Sequence, residues 1–322
     1  METIKVFGIR VYGRIWSSSR LNRSVLARAL VVGMAGMTLV ACSSSPSRAV
    51  SKVHAPTRYY VALGDSLSVG WQPHPSTGKG YRTNQGYTND LYSYLSKTTP
   101  GLKLVEFGCP GETTGTMING GICHYSDGSQ LKQADAFMKA HSKSLALVTL
   151  DIGANDIDNC GNVPMSQIGS CALTGMNEIK IQLPEILSSI RSAAGPSVTI
   201  VGMTLYDPFL ARWLDGSSGQ KLATLSVQLL KSLNLELVSE YTKYGLVTAH
   251  VGTAFSSYTP LGQTKTLSLH DRFAKYPIAV AQVCIYTWMC APPPGGPDIH
   301  ANFEGYKVIA QAFEKALQGS HL

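Results

Sequence analysis

Five residue types able to carry out acyl transfer together are spread over four short segments of this 322-residue sequence. Ser66 lies in Gly64-Asp65-Ser66-Leu67-Ser68, directly after the apolar run Tyr59–Leu63. A serine hydroxyl is protonated at neutral pH. It attacks a carbonyl only with a base beside it and donors for the oxyanion that forms. Gly111, in Phe107-Gly108-Cys109-Pro110-Gly111-Glu112-Thr113-Thr114, follows the apolar run Leu102–Val105, and a glycine lets its main-chain N–H approach a ligand closely. Asn155, in Asp151-Ile152-Gly153-Ala154-Asn155-Asp156, follows Leu145–Leu150 and offers an uncharged amide donor. His300, in Pro297-Asp298-Ile299-His300, brings an imidazole, the side chain most often used as a general base.

Taken singly, each segment has a plainer reading. Gly-Asp-Ser is often a turn, and Asn155-Asp156 could cap a helix. Asp298-x-His300 could be a surface pair or a fragment of a metal site. Four such segments, each ending a strand pattern or preceding a helical one, form a joint signal. In that order they resemble the SGNH (GDSL) hydrolases, over roughly Tyr60 to Leu317.

The resemblance implies that Ser66 is the nucleophile and His300 the base. It also implies an oxyanion hole made by the Ser66 N–H, the Gly111 N–H and the Asn155 side chain. Two positions depart from the family pattern. The acid usually stands three residues before the histidine, where this chain has Pro297, and Asp298 lies two before. Ala301 follows the histidine where proline is common. Asp298 is the expected orienting acid, with a backbone carbonyl as the other candidate. Asp65 reads as structural, its carboxylate bonding loop amides.

The elements that must position these groups show in the hydrophobic pattern. Strand candidates at 59–63, 102–107, 145–150, 197–203 and 245–249 alternate with helical patterns at 86–97, 129–142, 166–194, 217–243 and 302–318. In 217–243, Leu222, Leu225, Leu229, Leu233 and Leu237 recur at steps of three and four, which marks an amphipathic core helix. Strands alternating with helices predict a three-layer α/β sandwich of flavodoxin-like type, with five parallel strands and helices on both faces. Two insertions interrupt the pattern. Trp71–Arg82 follows the nucleophile, and 250–298 is long and weakly periodic. Its Tyr258, Phe273, Tyr276, Tyr286, Trp288 and Met289 are candidates to line an acyl or aryl pocket, or to cover the sheet edge. His74 and His124 lie in loops and precede no terminal helix, so they rank behind His300 as bases.

The N-terminus reads as a targeting segment. Lys5, Arg10, Arg14, Arg20, Arg23 and Arg28 stand against Glu2 alone, followed by the apolar stretch Ala29–Ala41. Leu39-Val40-Ala41-Cys42, followed by serines, resembles a bacterial lipobox. The expected organisation is a lipoprotein signal peptide at 1–41, lipidation of Cys42, a flexible tether at 42–57 and a hydrolase domain at 58–322. An ordinary signal peptide is the alternative. The formal charge is +7, but residues 1–41 hold six basic groups and one acidic group, which leaves +2 for the rest. That balance does not favour nucleic acid as a partner.

Of the seven cysteines, six remain when Cys42 goes to lipid, and fifteen pairings are open. The sequence-local choice is Cys109–Cys123, Cys160–Cys171 and Cys284–Cys290. No Cys-x-x-Cys spacing supports zinc. The expectation is therefore a lipid-anchored, extracytoplasmic, monomeric serine esterase or lipase. It would work through an acyl-enzyme on a small-molecule or lipid ester, with no metal and no cofactor. The alternatives are an O-acetyl esterase acting on cell-wall polysaccharide and a non-catalytic ligand-binding surface lipoprotein.

Overall fold

The computed structural model describes residues 55–269 and 272–320. The leader, Cys42 and all but the last three residues of the tether lie outside the described residues. Five parallel strands form the sheet: β1 (Arg58–Gly64), β2 (Leu102–Glu106), β3 (Leu145–Asp151), β4 (Thr199–Met203) and β5 (Val247–Ala249). They run in the order β2-β1-β3-β4-β5, the flavodoxin-like order expected from the sequence. β1 is rich in aromatic and aliphatic residues and β3 is buried at every position, as strands with helices on both faces must be.

The main helices are α1 (Tyr87–Leu95), α2 (Thr114–Asn119), α3 (Gln130–Ala140), α4 (Met165–Ala194) and α5 (Gly216–Lys243). They are followed by α6 (Val251–Ala254), α7 (Ile278–Tyr286) and α8 (Phe303–Ala316). α1 packs on α8, where the Tyr87 and Phe313 rings stack with centroids 4.8 Å apart. Elsewhere α3 packs on α4 and α4 on α5, each lying in the connection between two parallel strands. α4 buries Ile168, Ala172, Gly175, Ile179, Leu183, Ile186, Leu187 and Ile190, a step of three or four residues that turns one stripe to the sheet. In α5, Leu222, Leu233 and Leu237 are buried as the spacing predicts, while Leu225 and Leu229 are half-buried.

Segment 250–298 is not the structureless loop that its weak periodicity suggests. It contains α6, an antiparallel hairpin of Thr264–Leu269 with Arg272–Pro277, and α7. α7 reads Ile-Ala-Val-Ala-Gln-Val-Cys-Ile-Tyr, apolar on nearly every side, so no helical stripe exists to be seen. It closes a small second cluster with Leu210, Ala211, Ala279 and Val283.

The chain moves from β1 to one side for β2 and to the other for β3. The gap between the carboxyl ends of β1 and β3 is therefore the switch point, where open α/β sheets form their crevice. In register, Leu63 faces Leu150 and Gly64 faces Asp151, so both strands end level.

Candidate active site

Ser66 follows β1, Asn155 follows β3 and the Gly111 turn follows β2, so the sheet delivers three of the four segments to one crevice. The fourth arrives from the loop before α8. The Ser66 hydroxyl donates to His300 Nε2 at 2.9 Å, and His300 Nδ1 lies 2.6 Å from Asp298 Oδ1. Burial alone would raise the Asp298 carboxyl, but its bonds to His300 and the charge there outweigh burial and hold it below the ordinary range. An ionised carboxylate only accepts, so Nδ1 carries the proton and Nε2 is free to take one from Ser66.

The unusual spacing of Asp298 is resolved by an Asx turn. Asp298 Oδ1 also accepts the main-chain N–H of His300 at 2.9 Å, which folds the carboxyl back over the residue two positions on. The loop is pinned from outside. Trp288 N–H donates to the His300 carbonyl at 3.0 Å, and Asp298 N–H donates to the Trp288 carbonyl at 3.2 Å. The Tyr206 hydroxyl donates to the Ile299 carbonyl at 2.8 Å. Ala301, the second departure, is fully buried, and Asn302 caps α8 by accepting from Glu304 N–H and Gly305 N–H.

Gly111 has φ +86° in the turn closed by Glu112 N–H to the Cys109 carbonyl at 3.1 Å. With Pro110 before it, this is the turn position that needs a positive φ, hence glycine. Asn155 Nδ2 donates to the Glu112 carbonyl at 3.0 Å and to Asp65 Oδ2 at 3.3 Å, which sets its amide beside the Gly111 turn. Asp65 behaves as expected, its Oδ1 accepting the Leu67 N–H at 2.9 Å. Asp156 anchors the start of α2, accepting from the Thr114 N–H and hydroxyl.

Two supporting residues carry no signal in the sequence. Gln130, fully buried at the start of α3, accepts from Gly64 N–H at 2.7 Å. Its Nε2 donates to the Gly64 carbonyl at 2.9 Å and to Glu112 Oε2 at 2.8 Å. It thus ties the Ser66 turn to the Gly111 turn. Asp151 accepts from Asp65 N–H at 3.2 Å and from the Tyr87 hydroxyl at 2.5 Å. Burial, reinforced by Asp65, pushes its carboxyl well up. A side chain at Gly64, with φ +149°, would collide with Asp151.

The crevice opens into a cavity of about 870 Å³, mouth included, walled chiefly by apolar side chains of α4, α5 and the segments 157–161 and 205–209. Tyr206 and Phe209 line it. Of the residues expected to do so, Tyr258, Tyr276, Tyr286, Trp288 and Met289 do not. Tyr258 instead bonds Asn234, Tyr286 packs on Phe255, and Trp288 Nε1 donates to Gln72 Oε1 at 3.2 Å. The Phe273 side chain lies outside the described residues. His74 and His124 are exposed and do not line the cavity. All three local disulfides are formed: Cys109–Cys123 on the Gly111 turn, Cys160–Cys171 after Asn155, and Cys284–Cys290 around Trp288.

Among solved structures, an extracellular lipase from Streptomyces rimosus is similar at 18% identity and TM-score 0.52, over 81% of this chain and 100% of that one. The lipase Lip_vut3 from a goat rumen metagenome is similar at 14% identity and TM-score 0.51, over 82% and 99%. These likenesses concern the fold. No curated protein matches the sequence. The sequence model of the GDSL-like lipase/acylhydrolase family matches residues 62–308, which span all four segments. On that match, the chain belongs to the GDSL-like lipase/acylhydrolase family.

Proposed function

We propose that this protein hydrolyses carboxylic esters through an acyl-enzyme on Ser66. The observation that carries the reading is the hydrogen-bonded chain Ser66 Oγ, His300 Nε2, His300 Nδ1, Asp298 Oδ1, at 2.9 and 2.6 Å. Ser66 Oγ attacks the ester carbonyl as its proton passes to Nε2, and Asp298 stabilises the imidazolium that results. The carbonyl oxygen, now an anion, is held by Ser66 N–H, Gly111 N–H and Asn155 Nδ2. For the last of these, the Asp65 bond at 3.3 Å is the weaker of the two that Asn155 donates. His300 then protonates the departing alcohol. In the second half it takes a proton from water, whose oxygen attacks the acyl carbonyl and releases the acid and Ser66.

The apolar cavity beside Ser66 supports an acyl group larger than acetyl, and so a lipid or medium-chain ester over an acetylated polysaccharide. Three disulfides support a location outside the cytoplasm, and the lipobox-like segment at Cys42 supports a lipid anchor. The test is Ser66→Ala assayed on a soluble p-nitrophenyl ester. Hydrolysis should fall to background while the melting temperature stays within a few degrees, and retained hydrolysis would remove Ser66 as nucleophile.

A further inference from the structure

The Trp71–Arg82 segment is tied to both halves of the reacting pair without supplying a group to it. Trp71 N–H donates to the Ser66 carbonyl at 3.0 Å, and the Trp71 carbonyl accepts from the Tyr306 hydroxyl at 2.7 Å. The segment then folds back on itself, Gln72–Pro73 pairing antiparallel with Gly80–Tyr81. Its turn lies against the loop that leads to His300. A Cβ at Gly78 would stand 2.4 Å from the Pro294 carbonyl oxygen, and one at Gly295 would stand 3.3 Å from Pro75 Cα. Gln72 bonds across this contact. Its Oε1 accepts from Trp288 Nε1 at 3.2 Å, and the Trp288 main chain in turn donates to the His300 carbonyl and accepts from Asp298 N–H.

Glutamine is a costly residue for this place. Gln72 is 1% exposed, and its Nε2 is buried with no hydrogen-bond partner among the described residues. A buried amide donor left unpaired weakens the folded state, and such groups are rare enough that each calls for a reason. Methionine, of similar length, would fill the space and bring no unpaired donor. What it lacks is the acceptor oxygen. An indole N–H only donates, so Oε1 is the atom that must face Trp288, and Nε2 is the one turned away. The bond that Oε1 accepts is therefore what distinguishes glutamine from an apolar residue here.

We propose that Gln72 is a positioning residue for the Ser66–His300 pair. Trp71 fixes one end of a two-residue strut to the Ser66 turn. Gln72 fixes the other end to Trp288, whose main chain holds Asp298 and His300. The strut keeps Ser66 Oγ and His300 Nε2 at 2.9 Å, within the reach that proton transfer requires. This rests on the reading of Ser66 as nucleophile and His300 as base.

The experiment measures melting temperature, and kcat and KM on p-nitrophenyl acetate, for Gln72→Met, Gln72→Glu, Trp288→Phe and the double variant Gln72→Met/Trp288→Phe. Gln72→Met should lower kcat by roughly tenfold or more with KM within about twofold, because misplaced reacting groups act on the transition state. Its melting temperature should hold or rise, since the unpaired donor is gone. Gln72→Glu, which keeps an oxygen able to accept from Trp288, should recover most of the lost kcat. Trp288→Phe breaks the same bond from the other side, and decides the question if Gln72→Met does not fold. The double variant should lose no more than the greater single loss. Unchanged kcat in either folded single variant would overturn the proposal. So would a kcat loss that Gln72→Glu shares in full, or losses that multiply in the double variant. Acetate hydrolysis that survives Ser66→Ala would instead mark failure of the nucleophile reading, so the two failures separate.

Discussion

Asp298 reaches His300 from two residues away because its carboxyl accepts the main-chain N–H and the ring N–H of the same histidine. Asp298→Asn should keep the loop shape, since an amide oxygen can still accept the backbone N–H. It cannot stabilise an imidazolium and favours the wrong tautomer. The expected loss in kcat is about 10²-fold or more with little change in KM, measured on a soluble ester. A loss under tenfold would leave orientation of His300 to its backbone contacts. Asn155→Ala should lower kcat by about 10²–10³-fold, again with KM nearly constant, because the donor acts on the oxyanion and not on the bound ester. At this scale the sequence was informative. Residue types and order marked Ser66, Gly111, Asn155, Asp298 and His300 as candidates. The Asx turn was missed, although an Asp two positions before its target is the usual pattern for one.

The five strands and the long helices were legible because each leaves a period: continuous apolar runs for β1 and β3, and steps of three and four for α4 and α5. What builds the pocket was not legible. The 3₁₀ segments Asp158–Asn162 and Pro208–Asp215 are too short for a period, and the aromatics that line the cavity sit there and just before, not in 250–298. Gln130 was equally silent, since two of its three bonds go to backbone groups of a residue 66 positions away and the third to the Glu112 side chain. Removing its three bonds with Gln130→Leu should loosen the Ser66 turn against the Gly111 turn. The expected result is a kcat loss of up to about 10²-fold with KM held, because misplacement of the reacting groups acts on the transition state. A variant that loses only melting temperature would make Gln130 purely structural. On α5, Leu229 lines the cavity, so Leu229→Phe should lower kcat/KM for p-nitrophenyl octanoate relative to acetate. Equal change on both esters would place the acyl chain elsewhere.

Across the molecule, buried carboxyls tie stability to pH. Burial lifts Asp207 to about 7 and Asp158 to about 8 from an ordinary value of 3.8. Between those limits the folded protein binds protons that the unfolded chain has released, so stability should fall as pH rises from about 4 toward 8. Asp298 has the opposite sign, its contribution being present above the ordinary carboxylate range and lost as pH falls below it. Melting curves should therefore peak on the mildly acidic side, and Asp207→Asn should flatten the decline; a flat profile in the wild type would contradict this. The proposed reaction depends on one serine, Ser66, in the crevice between β1 and β3 being the nucleophile. The direct measurement is to treat the intact folded protein with a serine-directed alkyl phosphonate, weigh the whole chain and map the modified peptide. One adduct per chain on Ser66, absent from Ser66→Ala and slowed in His300→Ala, is the result predicted. No adduct, or an adduct on another residue with Ser66 untouched, would contradict it.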